Sequence, residues 1–280
     1  MEYSVTDSMV RGRDGDIPVR DYLPAKRVSA TPLLWVHGGG FVLGGLDMKE
    51  SDEPARFLAA AGWWVRTLHY RLAPNLGLFS EPKLGPAPGR FPAAHHDVLD
   101  VALGLQADAG SLHIGGASAG ANLTAGAVLA LSDLGAPPPL SVTLFYGAFH
   151  SVLPEDDAVE SQLRGPVARW FFNPTMTRRM FYNYVGGKEG FAERYAFPGG
   201  TDLSGFPPTL TVDASNDRLR RSGHEFHREL AVAGVASEEI VLGATHGFLG
   251  TPRKPVFAQG MAAFDGWLHQ HSVAPGALPR

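Results

Sequence analysis

"HIGGASAGANL" (113–123) places Ser118 between paired small residues, directly after a short apolar run and directly before a helix-forming one. Such a crowd of Gly and Ala is either plain loop or a serine held on a sharp turn from strand into helix. Gly116-Ala117-Ser118-Ala119-Gly120 fits G-x-S-x-G, in which side chains two positions from the serine would collide with neighbouring backbone. The match alone is weakly specific in a chain with 34 glycines. Its setting sharpens it: "LHIGG" before the serine reads as a strand, and "GANLTAGAVLALSDLG" after it reads as a helix. The N–H groups at the start of that helix face any negative charge that develops at the turn.

Working outward, the same alternation recurs. "PLLWVHG" (32–38), "WWVRTLHY" (63–70), "LSVTLFYG" (140–147), "PTLTVDA" (208–214) and "EEIVLG" (238–243) read as strands. "DEPARFLAAAG", "PAAHHDVLDVALGLQ", "RSGHEFHRELAVAG" and "VFAQGMAAFDGWLHQ" carry apolar residues at three- and four-residue spacing and read as helices. Strands separated by helices need crossover connections, so the class is α/β: a mostly parallel sheet flanked by helices. Two segments interrupt the alternation. "NLGLFSEPKLGPAPGR" (75–90) is rich in Pro and Gly and reads as an irregular surface loop. Residues 150–206 are dense in aromatics, including Trp170, Phe171, Phe172, Phe181 and Tyr184, and read as a lid inserted into one domain spanning 1–280.

Composition narrows the function. A net charge of −4 with no block of like charges argues against nucleic acid or an anionic membrane surface as partner. The chain has no cysteine, which removes disulfides, thiolate nucleophiles and cysteine-ligated metals. No stretch is long and apolar enough for a membrane helix, and the N-terminus has no apolar core of the signal-peptide kind, so the expectation is a cytoplasmic protein. The expected partner is a small molecule, uncharged or mixed in character; nothing in the sequence fixes an oligomeric state.

An acyl-transfer serine needs an oxyanion hole, a base and a carboxylate. "HGGGF" (37–41), directly after a strand, offers bare backbone N–H groups at close range. Of eleven histidines, His246 in "GATHGFLG" is the best base, because it falls in a loop after the last strand. His95/His96 and His224/His227 lie within helices; "HEFH" lacks the H-E-x-x-H arrangement, so no metal site is expected. "TVDASNDRLR" holds two carboxylates, Asp213 and Asp217. Asp217 is preferred, because a loop position beyond the strand is free to reach an imidazole. The order Ser, Asp, His is that of α/β-hydrolases.

"HGGGF", "YRLAP" (70–74), "GASAG" and "HGF" (246–248), all in sequence order, resemble the hormone-sensitive-lipase-like family of α/β-hydrolases, carboxylesterases of the acetyl esterase type. The resemblance runs from about residue 10 to the end, with "FPAAHHDV" and "LSGFPPTLTV" among the similar segments. It implies an α/β-hydrolase fold with a reduced helical cap, and hydrolysis of carboxylic esters, with short acyl groups expected. It further implies Ser118 as nucleophile, His246 as base and Asp217 as the acid that orients it. The oxyanion hole would come from Gly39 and Gly40, with Gly38 a lesser contributor, and from Ala119; His37 would support that loop. Phe41, Trp170, Phe171 and Phe248 are the candidate substrate contacts, and no cofactor is required. The chain departs from the family in the short stretch before "HGGGF" and in the insertion at 75–90, both of which touch the pocket. The same triad would serve an amide, such as an N-acetyl group, or a lactone. A non-catalytic ligand-binding protein on this fold is the remaining alternative.

Overall fold

The computed structural model describes residues 2–74, 85 and 87–272. Eight strands form one sheet: β1 (Tyr3–Gly12), β2 (Gly15–Pro24), β3 (Leu33–Val36), β4 (Val65–Leu68), β5 (His113–Ala117), β6 (Ser141–Phe145), β7 (Thr209–Asn216) and β8 (Ser237–Thr245). Their order is β1-β2-β4-β3-β5-β6-β7-β8. From β4 to β8 every neighbouring pair is parallel, while β1 and β2 join antiparallel at one edge.

The helices cover both faces. On one, α2 (Ala93–Ala109), α3 (Ala119–Asp133) and α7 (Arg220–Val232) bury Val98, Leu105, Leu123, Phe226 and Leu230 with Leu34, Ile114 and Val142 of the sheet. On the other, α1 (Lys49–Ala61) and α8 (Pro255–Gln270) pack Leu58, Met261, Phe264 and Leu268 against Trp35, Phe145 and Val212. β3, β5 and β6 are buried along their whole length, as strands covered on both faces are, and β3 is accordingly an unbroken apolar run, Leu33–Val36.

The six strands and five helices expected from periodicity are all present, with ends differing by a few residues. The N-terminal hairpin is a further element. β1 is mostly exposed and its sequence "YSVTDSMVRG" has no apolar alternation to announce it. Its ten residues pair one for one with β2, so the hydrogen-bond ladder, not burial, makes it a strand. Most of the Pro/Gly-rich stretch at 75–90 lies outside the described residues.

Between β6 and β7 the chain leaves the sheet and forms α4 (Asp157–Gln162), α5 (Gly165–Trp170), α6 (Pro174–Val185) and a 3₁₀ turn, Glu189–Ala192. α4 starts on Asp156 and α6 on Asn173, each of whose side chains accepts a hydrogen bond from the N–H three residues on. This segment is fastened from several sides. Asn183 donates to the Pro74 carbonyl, the Phe91 N–H to the Tyr184 carbonyl, and Arg218 forms a two-pronged pair with Glu160.

Candidate active site

The parallel strands end at a common edge, where turns converge and where open α/β sheets bind ligands. Ser118 sits on the turn from β5 into α3 with φ 54° and ψ −118°, a left-handed conformation that costs a non-glycine residue about 1–3 kcal/mol. The surroundings hold it there: its N–H donates to the Phe145 carbonyl, and its own carbonyl accepts from the N–H groups of Ala121 and Asn122. The two glycines of the motif are needed for close approach. A Cβ on Gly116 would drive into the Gly120 carbonyl, and one on Gly120 into the carbonyls of Val36 and His37.

His246 follows β8, and its Nε2 lies 3.0 Å from Ser118 Oγ. On the other side, Nδ1 lies 2.6 Å from Asp217 Oδ2. Since an ionised carboxylate only accepts, Nδ1 carries the proton and Nε2 is left as an acceptor for the serine O–H. Asp217 is buried on the turn after β7, and its Oδ1 accepts from the Leu219 N–H, which fixes the carboxylate plane. Burial pushes the imidazolium down, but the charge and hydrogen bond of Asp217 and the charge of Glu50 outweigh it, and His246 ends above the ordinary histidine value. The rival Asp213 lies within β7, buried against Gly223, and burial together with the charge of Asp217 pushes its carboxyl well above the usual carboxylate range.

The glycine loop is held from behind. The Gly38 carbonyl accepts from His37 Nδ1–H at 2.7 Å and from the Tyr70 hydroxyl at 2.9 Å. A trans peptide points its C=O and its following N–H in opposite directions, so this double tether fixes the direction of the Gly39 N–H. The N–H groups of Gly39, Gly40 and Ala119 find no acceptor among the described residues, whereas Gly38 is enclosed against the Cβ of Ser118. His37 is buried, stacked on Tyr70 at 4.3 Å, and burial lowers it to about 4. It is a neutral prop. "YRLAP" thus has a physical role: Tyr70 grips the loop, and the Ala73 N–H donates to the Phe41 carbonyl.

Ser118 opens into a cavity of about 1140 Å³. Trp170, Phe171, Phe172, Met176 and Met180 of the inserted segment line one wall, facing Gly39, Gly40 and Leu43. Trp170 and Phe171, two of the four candidate contacts, line it. Phe41 and Phe248 do not. Phe41 is buried and stacks on Tyr184 at 3.8 Å, and Phe248 packs between Phe145 and Tyr146 in the core. Phe172, whose ring meets His246 edge-on at 4.6 Å, was not singled out as a contact within the aromatic run. Among the described residues no three His, Asp or Glu side chains are grouped to hold a metal, and His224 instead bonds Glu239 at 2.9 Å. No helix there is long and apolar enough to cross a membrane.

A strand-to-helix serine turn at the edge of a parallel sheet is the arrangement of α/β-hydrolases, and the family described as the alpha/beta hydrolase fold matches residues 33–250. The chain belongs to that family, in its hormone-sensitive-lipase-like branch. Among curated relatives, Carboxylesterase NlhH of Mycobacterium tuberculosis is 30% identical over 237 residues, covering 81% of this chain and 70% of its own length. Ethyl acetate hydrolase of Pseudomonas putida is 31% identical over 268 residues, covering 88% and 76%. Among solved structures, the hyperthermophilic esterase of Pyrobaculum calidifontis superposes with a TM-score of 0.82 at 25% identity, covering 95% of this chain and 85% of its own.

Proposed function

We propose that this carboxylic ester hydrolase works through Ser118 as nucleophile, His246 as base and Asp217 as orienting acid. The observation that carries the reading is the unbroken hydrogen-bonded line from Ser118 Oγ through the imidazole to Asp217 Oδ2, with spacings of 3.0 and 2.6 Å. Ser118 Oγ attacks the ester carbonyl carbon while its proton passes to His246 Nε2. The oxyanion that forms is met by the N–H groups of Gly39, Gly40 and Ala119. The imidazolium returns the proton to the departing alkoxide, leaving an acyl-enzyme and the free alcohol. Water, deprotonated by the same imidazole, then attacks the acyl carbon and releases the carboxylic acid and Ser118.

Short acyl groups are the proposed acyl half, in keeping with relatives named ethyl acetate hydrolase and acetyl-hydrolase. The cavity exceeds the roughly 300–1,000 Å³ of ordinary small-molecule sites, and Trp170, Phe171, Phe172, Met48, Met176 and Met180 give it a broad apolar wall. It therefore suits a bulky apolar alcohol half, over which the segment 150–206 serves as a cap. The test is hydrolysis of p-nitrophenyl esters from acetate to a long acyl chain, with Ser118→Ala beside the parent. Highest kcat/KM on the short acyl chains, and a loss of about 10⁴ or more in the variant, are the expected results. A variant that keeps more than a tenth of the activity rejects the nucleophile. A folded parent inert on every ester rejects ester hydrolysis and directs the search to amides and lactones.

A further inference from the structure

Glu50 lies at the second position of α1, on the stripe of that helix that turns inward: Glu50, Ser51, Pro54, Ala55, Leu58 and Ala59 are all buried. A buried carboxylate is costly unless it has a partner, and no arginine or lysine pairs with this one among the described residues. Its position is nonetheless fixed at both ends. Pro54 has no N–H to donate to the Glu50 carbonyl within the helix, and that carbonyl accepts instead from the Trp35 indole N–H of β3 at 2.7 Å. At the other end, Glu50 Oε1 accepts from the Tyr146 hydroxyl at 2.9 Å.

The carboxylate is wedged between both halves of the site. A Cβ on Gly38 would stand 2.5 Å from Glu50 Oε2 and 3.1 Å from Ser118 Cβ, and one on Gly247, next to His246, would stand 3.4 Å from Glu50 Oε1. Tyr146, held at φ 38° just after β6, sets its ring edge-on to His246 at 4.9 Å while its hydroxyl holds Glu50. We infer that Glu50 is a positioning residue: its carboxylate, braced by Tyr146, props the Gly38 turn and stabilises the positive charge that His246 acquires during acyl transfer. This rests on the hydrolytic reading given above.

The electrostatics agree with the geometry. Burial pushes the Glu50 carboxyl up, opposed by the nearby His246 charge and the Tyr146 hydroxyl. Around the pair stand Asp217 from the turn after β7, Tyr70 after β4, Lys49 of α1 and Arg179 of α6, the last two at the cavity wall. Asp217, bonded at Nδ1, and Glu50 are the negative groups that act on the imidazole.

The test is the pH profile of kcat/KM on p-nitrophenyl acetate for the parent and Glu50→Gln. The neutral imidazole is the active base, so activity falls on the acid side as His246 takes up a proton. Losing a negative neighbour makes the ring less basic, and the acid limb moves to lower pH. With it kcat falls about tenfold, less than for loss of an oxyanion donor, while KM stays within about twofold. A limb at the parent's position overturns the proposal, whatever the loss of kcat, because a purely structural role does not move it. If Glu50→Gln fails to fold, Glu50→Asp draws the charge back by one methylene; a smaller shift of the limb in the same direction is expected, and an unmoved limb overturns the proposal. A parent enzyme inert on all esters overturns both this and the hydrolytic reading, whereas an active parent with an unmoved variant limb overturns this one alone.

Discussion

The two walls of the cavity are built by opposite means. On the sheet side, the groups around Ser118 are held by hydrogen bonds that end on strands or on the turns leaving them: Asp217 by the Leu219 N–H, the Gly38 carbonyl by Tyr70 and His37, Ser118 itself by the Phe145 carbonyl. On the side of the inserted segment the contacts are aromatic and thioether surfaces on short helices, with Trp170 53% and Phe171 40% exposed. Proton transfer and oxyanion binding fail with misplacement by a fraction of an ångström, so they belong on over-determined turns. Apolar contact is non-directional and tolerates re-packing, so the surface that the inserted segment presents to the cavity has no need of such exact placement.

The largest effects should come from the sheet side. Asp217→Asn keeps the shape of the side chain but removes the charge and allows the wrong imidazole tautomer, and kcat on p-nitrophenyl acetate should fall about 10³–10⁴-fold. Asp213→Asn, altering a buried carboxyl four residues away in β7, should leave the pH profile unchanged and lose activity only as far as it loses stability. If the two variants lose kcat equally, the assignment of the acid is wrong.

A smaller effect is expected one layer further back. Tyr70→Phe removes one of the two donors to the Gly38 carbonyl and leaves His37 as the other. The loop should still form but lose its fixed orientation, lowering kcat about tenfold with little change in KM, since the lost interaction serves the oxyanion. A rise in KM at constant kcat would mean that Tyr70 shapes the cavity and does not brace the oxyanion loop.

What could be read from the sequence follows the same division. β5, the turn at Ser118 and α3 announce themselves because small residues are compulsory where backbones touch. His246 and Asp217 are legible as loop residues that follow strands. The substrate wall is not. Phe41 and Phe248 adjoin site residues in sequence, but a tight turn sends neighbouring side chains in opposite directions, and both end in the core. Met176, Met180 and Asn183 face the cavity because of how α6 is docked, which its own periodicity does not state. Glu50 lies two residues ahead of the stretch from Asp52 that reads as a helix, so nothing in the sequence reading singles it out. Its phase with Pro54 and Leu58 was the available signal, for it sets a charge on the stripe that must be buried.

The exposed wall gives the sharpest contrast with the sheet side. Trp170 lines the cavity at the end of α5, half in solvent, and meets Phe171 edge-on at 6.0 Å. If this wall holds the alcohol half of the ester, Trp170→Ala should raise KM for 1-naphthyl acetate about three- to tenfold, the worth of one partly exposed aromatic contact, and leave kcat near the parent value. Ethyl acetate, too small to span from Ser118 to that wall, should be hydrolysed with unchanged KM. Comparing the two substrates removes any general effect of the substitution on folding, which would act on both alike. Equal changes for the two would show that α5 acts by holding the cap in place. A selective loss on the naphthyl ester would place substrate selection on the inserted segment and confine the chemistry to the turns of the sheet.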